Sequence, residues 1–155
     1  MMKYKNAFML LILFFTTFMI FCENLPDQPG LSVEGCKLVN EEDRNKDGKI
    51  DRWTYLKSDG GYIVKSDNNY DGMVDFVLET DKRGNKLYEE MDFNYDGEMD
   101  NFYYYANGVF ERQEIDSNYD GKIDIWVYLE KGIYIIKIER DKDFDGKIDY
   151  VKKYK

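Results

Sequence analysis

The stretch Asp116-Ser117-Asn118-Tyr119-Asp120-Gly121-Lys122-Ile123-Asp124, followed at once by Ile125-Trp126-Val127-Tyr128-Leu129, decides how this chain folds. Its first nine residues carry three Asp, an Asn and a Gly, the residue types that bend a backbone. The next five are apolar, aromatic or β-branched and read as a strand. The same pattern begins again at Asp43, Asp67, Asp92 and Asp141, so five copies recur every 24 or 25 residues. Asp stands at positions 1, 5 and 9 of every copy, Gly at position 6, and Ile, Val or Met at position 8. Position 3 is Asn four times and Asp143 once. A fixed period of this length marks a repeat architecture, with one supersecondary unit per repeat.

Between the nine-residue loops lie two strands and a turn. The turns fall at Ser58–Gly61, Asp81–Asn85, Ala106–Val109 and Glu130–Ile133. Asn107-Gly108 and Asp59-Gly60 are two-residue hairpin signals, because both central residues of the favoured turn need positive φ. The predicted fold is all-β: an antiparallel meander of five repeated hairpins, nine or ten strands, in one twisted or curled sheet. The nine-residue loops sit at one end and the tight turns at the other. A pair of hairpins is close to one four-stranded propeller blade, but five loops supply too few blades to close a propeller. Two positions past each loop stands an apolar column, Trp53, Val77, Phe102, Trp126 and Val151. Phe102-Tyr103-Tyr104-Tyr105 must place two aromatic rings on each face.

The loop spacing has a chemical reason. Ca²⁺ takes six to eight oxygens at ~2.3–2.6 Å. Side chains at positions 1, 3 and 5 converge if the chain wraps tightly, and Gly at position 6 permits the wrap. The position 7 carbonyl and the position 9 carboxylate add two more oxygens. The expected ligands are Asp43, Asn45, Asp47, Lys49 and Asp51; Asp67, Asn69, Asp71, Met73 and Asp75; Asp92, Asn94, Asp96, Glu98 and Asp100; Asp116, Asn118, Asp120, Lys122 and Asp124; and Asp141, Asp143, Asp145, Lys147 and Asp149, with each position 7 residue acting through its carbonyl. Position 8 is expected to pack beneath the loop. An Asx-turn reading without metal accounts for the Asp-Gly pairs. It does not account for three Asp in phase, which repel one another when no cation lies between them. Up to five Ca²⁺ are therefore expected, with loop 5, which carries the extra Asp143, binding most tightly.

Position 12, where an EF-hand places a bidentate Glu, holds Thr54, Leu78, Tyr103, Val127 and Lys152, and strand follows rather than helix. The loops resemble the EF-hand-like loops between β-strands in integrin-type and FG-GAP repeat proteins, and those of thrombospondin type 3 repeats. That resemblance covers residues 43–155; with five protein ligands and no bidentate Glu, water is expected to complete each shell and the sites to be weak, in the ~10⁻⁴–10⁻³ M range of extracellular modules.

The N-terminus reads as an address. Lys3 and Lys5 precede an apolar run from Ala7 to Phe21, the layout of a signal peptide over residues 1–21. Met19-Ile20-Phe21-Cys22 resembles a bacterial lipobox, with Phe21 where a small residue is usual, and the resemblance implies lipidation of Cys22. An uncleaved anchor and a Cys22–Cys36 disulfide stay open beside it. Each places the rest of the chain outside the cytoplasm, at the outer membrane, cell surface or periplasm, touching membrane only through its N-terminus. Residues 22–36 read as a tether to a domain spanning 37–155. Without residues 1–21 the chain loses two Lys and no acid, leaving 20 basic against 31 acidic residues, or −11. That charge argues against nucleic acid as a partner. There is no His, which excludes His-based catalysis and imidazole-ligated zinc. Catalytic sites are singular and these carboxylates recur five times, so no enzyme is expected. The alternative is a calcium-dependent adhesin that binds a glycan or an extracellular protein on its aromatic sheet face.

Overall fold

A computed structural model describes residues 30–155 of the 155-residue chain. Ten strands follow one another as β1 (Lys37–Glu42), β2 (Arg52–Leu56), β3 (Tyr62–Ser66), β4 (Phe76–Thr80), β5 (Lys86–Met91), β6 (Asn101–Ala106), β7 (Val109–Ile115), β8 (Ile125–Glu130), β9 (Tyr134–Arg140) and β10 (Tyr150–Lys153). They form a single antiparallel sheet in chain order, open at β1 and β10, and the described residues contain no helix. The meander read from the loop period is the observed fold. The five nine-residue loops join odd strands to even ones along one end. The tight turns join even strands to odd ones along the other.

Turn chemistry sets this register. Asn107 and Gly108 both have positive φ, 52° and 78°, and Lys131-Gly132 repeats that geometry at 56° and 74°. This pair of conformations matches the right-handed twist of the flanking strands. In β2–β3 the turn closes through Lys57 N–H to Gly61 C=O at 2.9 Å. Phe102–Tyr105 divides between faces as the strand period requires: Tyr104 packs on Tyr88, ring centres 5.1 Å apart, while Tyr103 and Tyr105 pack on Phe110 at 5.8 and 5.5 Å.

Burial is uneven along the repeats. The core is a small cluster of Trp53, Tyr55, Ile63, Val74 and Val77, against which Leu31, Val33, Cys36 and Met99 pack. Residues 30–36, the described end of the segment read as a tether, therefore lie on one face of the sheet near its N-terminal half. Gly30 makes that approach possible, since with φ +91° a Cβ there would stand 2.8 Å from both Val77 Cγ2 and Glu90 Oε2. Where this cover is absent, equivalent residues are exposed. Val77 is fully buried and Val151, in the same column, is 53% exposed. The position 8 expectation holds at Val74, which is fully buried, and fails at the two ends of the array, where Ile50 and Ile148 are exposed.

Candidate cation loops

All five loops follow one path. Position 6 is left-handed throughout, with Gly48, Gly72, Gly97, Gly121 and Gly146 at φ between 81° and 99°. Position 4 is left-handed as well: Lys46, Tyr70, Tyr95, Tyr119 and Phe144 have φ of 60° to 66°. Non-glycine residues enter this region at a cost, so closing the loop must impose it. Nothing in the sequence marks these positions, because Tyr and Phe are not left-handed formers.

The loop amides organise the acids. At position 1 the carboxylate of Asp67 accepts from Tyr70 N–H at 2.6 Å and Gly72 N–H at 2.8 Å, and Asp92 does the same with Tyr95 and Gly97. At position 9 the carboxylate reaches back to the start of its loop. Asp51 accepts from Arg44 N–H, Asp75 from Asn68 N–H and Asp100 from Phe93 N–H, at 2.7, 2.7 and 2.8 Å. Position 5 accepts from the position 7 amide, as in Asp96 from Glu98 N–H at 2.9 Å. These four to six main-chain amide bonds per loop explain why Asp is needed even before any ion is considered.

Among the described residues, three carboxylates converge in loop 1 and in loop 5, and no such trio forms in loops 2 to 4. In loop 1, carboxylate oxygens of Asp43, Asp47 and Asp51 lie within 4.8 Å of one another, and in loop 5 those of Asp141, Asp143 and Asp149 do. Two oxygens bound to one Ca²⁺ lie no more than about 5 Å apart, since each bond is ~2.3–2.6 Å. Carboxylates, joined in loops 1 to 4 by a carboxamide, are the donor chemistry of a hard cation. In loops 1 to 4 the position 3 carboxamide turns its NH₂ toward the position 5 carboxylate, at 3.1 Å from Asn45 to Asp47 and 2.7 Å from Asn94 to Asp96. Loop 5 has no such donor. The Asp143 carboxyl is pushed above its ordinary value, chiefly by the charge of Asp145 and by partial desolvation. Asp47 moves the other way, held low first by Lys49 N–H and then by Asn45. Lys147 Nζ pairs with Asp145 at 2.9 Å, a neutralisation the sequence reading did not foresee.

Adjacent loops touch. Arg44 donates to Asn68 Oδ1 at 2.8 Å and lies over the Tyr70 ring, which ties loop 1 to loop 2. The space above Gly97 is filled by the Met73 sulfur, so position 7 of loop 2 packs on position 6 of loop 3.

The aromatic face holds a hollow of about 210 Å³ lined in part by Tyr88, Met99, Phe102, Tyr104 and Glu114. Its rings are engaged from within the chain. Arg112 covers Tyr104 at 4.0 Å and Lys137 covers Tyr128 at 3.7 Å, while the two hydroxyls donate to Glu114 and Glu139. A ligand stacking there would have to displace Arg112 or Lys137. Cys22 and the rest of the N-terminal address lie outside the described residues.

No protein-family model and no curated protein matches the sequence. Among solved structures, the chain is similar to one of accessory secretory protein 1, 2 and 3 from Streptococcus pneumoniae, with TM-score 0.52, 11% identity, and coverage of 74% of this chain and 20% of that one. A pneumococcal O-GlcNAc transferase GtfA, in complex with UDP and GlcNAc, aligns with TM-score 0.47, 18% identity, and coverage of 74% and 21%. The chain spans about a fifth of the length of either protein. The first likeness is one of fold.

Proposed function

We propose that this chain is a calcium-binding, non-enzymatic repeat module of the cell surface or periplasm, in which Ca²⁺ fastens the loop end of the sheet. The observation that carries the reading is the shared path of the five loops, which gathers three carboxylates in loop 1 and three in loop 5. In loops 1 and 5 those oxygens already stand no further apart than the diameter of one coordination shell. Asp at positions 1, 5 and 9 with the residue at position 3 and the position 7 carbonyl would hold the ion, and water would complete its shell. The ion's role is electrostatic: it neutralises acids that otherwise repel one another.

A cation that binds the folded chain and not the unfolded one raises stability by RT ln(1 + [L]/Kd), about 1.4 kcal/mol per site at ten times Kd. Millimolar calcium outside the cytoplasm would therefore keep weak sites loaded. The test is thermal melting of the chain in millimolar calcium and in excess EDTA. A marked rise in Tm with calcium, reversed by the chelator, is expected. Superimposable melts would sink the proposal.

A further inference from the structure

We propose that copies of this chain join head to tail, β10 of one pairing with β1 of the next, so that the repeat array continues from molecule to molecule. The four junctions between repeats inside the chain share one hydrogen bond. The N–H of the position 1 Asp donates to the C=O of the preceding loop's position 9 Asp: Asp67 to Asp51, Asp92 to Asp75, Asp116 to Asp100 and Asp141 to Asp124, at 2.8, 3.0, 2.8 and 2.9 Å. Among the described residues the series leaves a donor, Asp43 N–H, at one edge of the sheet and its acceptor, Asp149 C=O, at the other. Burial follows the same rule. The inner members Asp67, Asp92, Asp116 and Asp141, and Asp51, Asp75, Asp100 and Asp124, are all 5% exposed or less. Asp43 is half-buried and Asp149 exposed, because neither has the neighbouring repeat that covers the others.

Register and charge agree with the same partner. At each junction the residue after position 9 faces the residue before position 1: Arg52 with Ser66, Phe76 with Met91, Asn101 with Ile115 and Ile125 with Arg140. Carried across the open edges, this sets Tyr150 against Glu42, Val151 against Glu41 and Lys152 against Asn40 of the next copy. Inside the sheet the apolar column always faces a charged residue at these junctions, Trp53 with Lys65, Val77 with Glu90, Phe102 with Glu114 and Trp126 with Glu139. Val151 against Glu41 adds the next member of that row. Strand direction alternates, so β10 and the next β1 are antiparallel, and the loops of both copies share one end. In this register Lys152 and Lys153 of β10 lie diagonally across from Glu42 and Glu41 of the next copy, within reach of long side chains, while Lys155 falls opposite Lys37. Two β10 strands side by side would oppose their lysines, which disfavours same-edge pairing. Because the two joined edges differ and the sheet is open, the contact repeats without closing.

Cysteine cross-linking of the full chain, with Cys22 and Cys36 changed to Ser, tests the register. Opposed residues of an antiparallel pair have Cβ atoms ~4.5–5.5 Å apart, near enough for Asn40→Cys and Lys152→Cys to bridge under mild oxidation. A mixture of the two single variants should give a disulfide dimer while each alone stays monomeric. One chain carrying both should give a ladder of multiples. No dimer in the mixture, or an equal dimer from Lys152→Cys alone, would overturn the proposal. As a second reading, the average mass in sedimentation should rise with concentration and fall back to the monomer for Val151→Pro. That change removes an outward N–H while Tyr154 N–H keeps its 2.9 Å bond to Ile136 C=O in β9. A mass unchanged by Val151→Pro would count against the edge contact.

Discussion

Asp92 and Asp96 lie four residues apart in one loop and separate what the backbone needs from what a cation needs. Asp92 is 5% exposed, and both its oxygens are engaged by main-chain amides, Tyr95 N–H at 2.6 Å and Gly97 N–H at 2.8 Å. Hydrogen bonds to a charged acceptor contribute about 1.5–3 kcal/mol each, and an amide left unpaired near the core adds its own desolvation cost. Asp92→Ala should therefore destabilise the calcium-free chain by about 3–5 kcal/mol, the lower part of the sum, since removing one of three neighbouring acids relieves some repulsion. Asp96 is exposed and accepts from Glu98 N–H and the Asn94 amide, groups that can turn to water. Asp96→Ala should cost about 1 kcal/mol without calcium. With calcium it should further forfeit the stabilisation from that site, about 1.4 kcal/mol at ten times Kd. Urea unfolding in EDTA and in calcium, followed by far-ultraviolet circular dichroism, gives all four numbers. Equal losses for the two variants in EDTA would refute the division of roles.

Three further outcomes follow from the geometry. Tyr95→Val should cost about 1–3 kcal/mol although the ring is 52% exposed, because a β-branched residue is a poor occupant of φ +62°, whereas Tyr95→Asn should be tolerated; equal melting temperatures for the two would dismiss the strain argument. Val77→Ala deletes two methyl groups' worth of buried surface beneath residues 30–36 and should cost about 2–3 kcal/mol, while Val151→Ala should change stability by under about 0.5 kcal/mol, both read by chemical denaturation. Glu90 is held above its ordinary 4.5 by burial, against the pull of Tyr88, Lys65 and Leu31 N–H, so the fold binds its proton more tightly than the unfolded chain does. Its contribution is complete below 4.5 and is lost as pH rises through the folded value, so Glu90→Gln should flatten the fall in Tm above that pH, and an unchanged slope would contradict this.

The meander was readable because each signal in it is local. Gly at position 6 and the Asn107-Gly108 pair fix backbone conformations that depend on the residue itself, and the strands between them have only one way to connect. The acids of each loop were readable for the same reason, since their partners are amides two to seven residues away. What could not be read depends on distant neighbours. Val77 and Val151 occupy the same place in their repeats, yet one is fully buried and the other 53% exposed, because residues 30–36 cover only part of one face. The Pro/Gly-rich composition around that segment gives no sign that Leu31, Val33 and Cys36 dock on the sheet. The left-handed position 4 is not legible in the sequence because loop closure, and not the preference of Tyr or Phe, produces it.

Isothermal calorimetry of the chain with Ca²⁺ counts the loops that take up an ion. Saturable binding at five sites with Kd in the ~10⁻⁴–10⁻³ M range, and loss of the loop 5 site on Asp143→Ala, are expected. Heats no larger than dilution, with chelator and calcium samples indistinguishable, would mean that the loops are turns shaped by Asp and Gly alone.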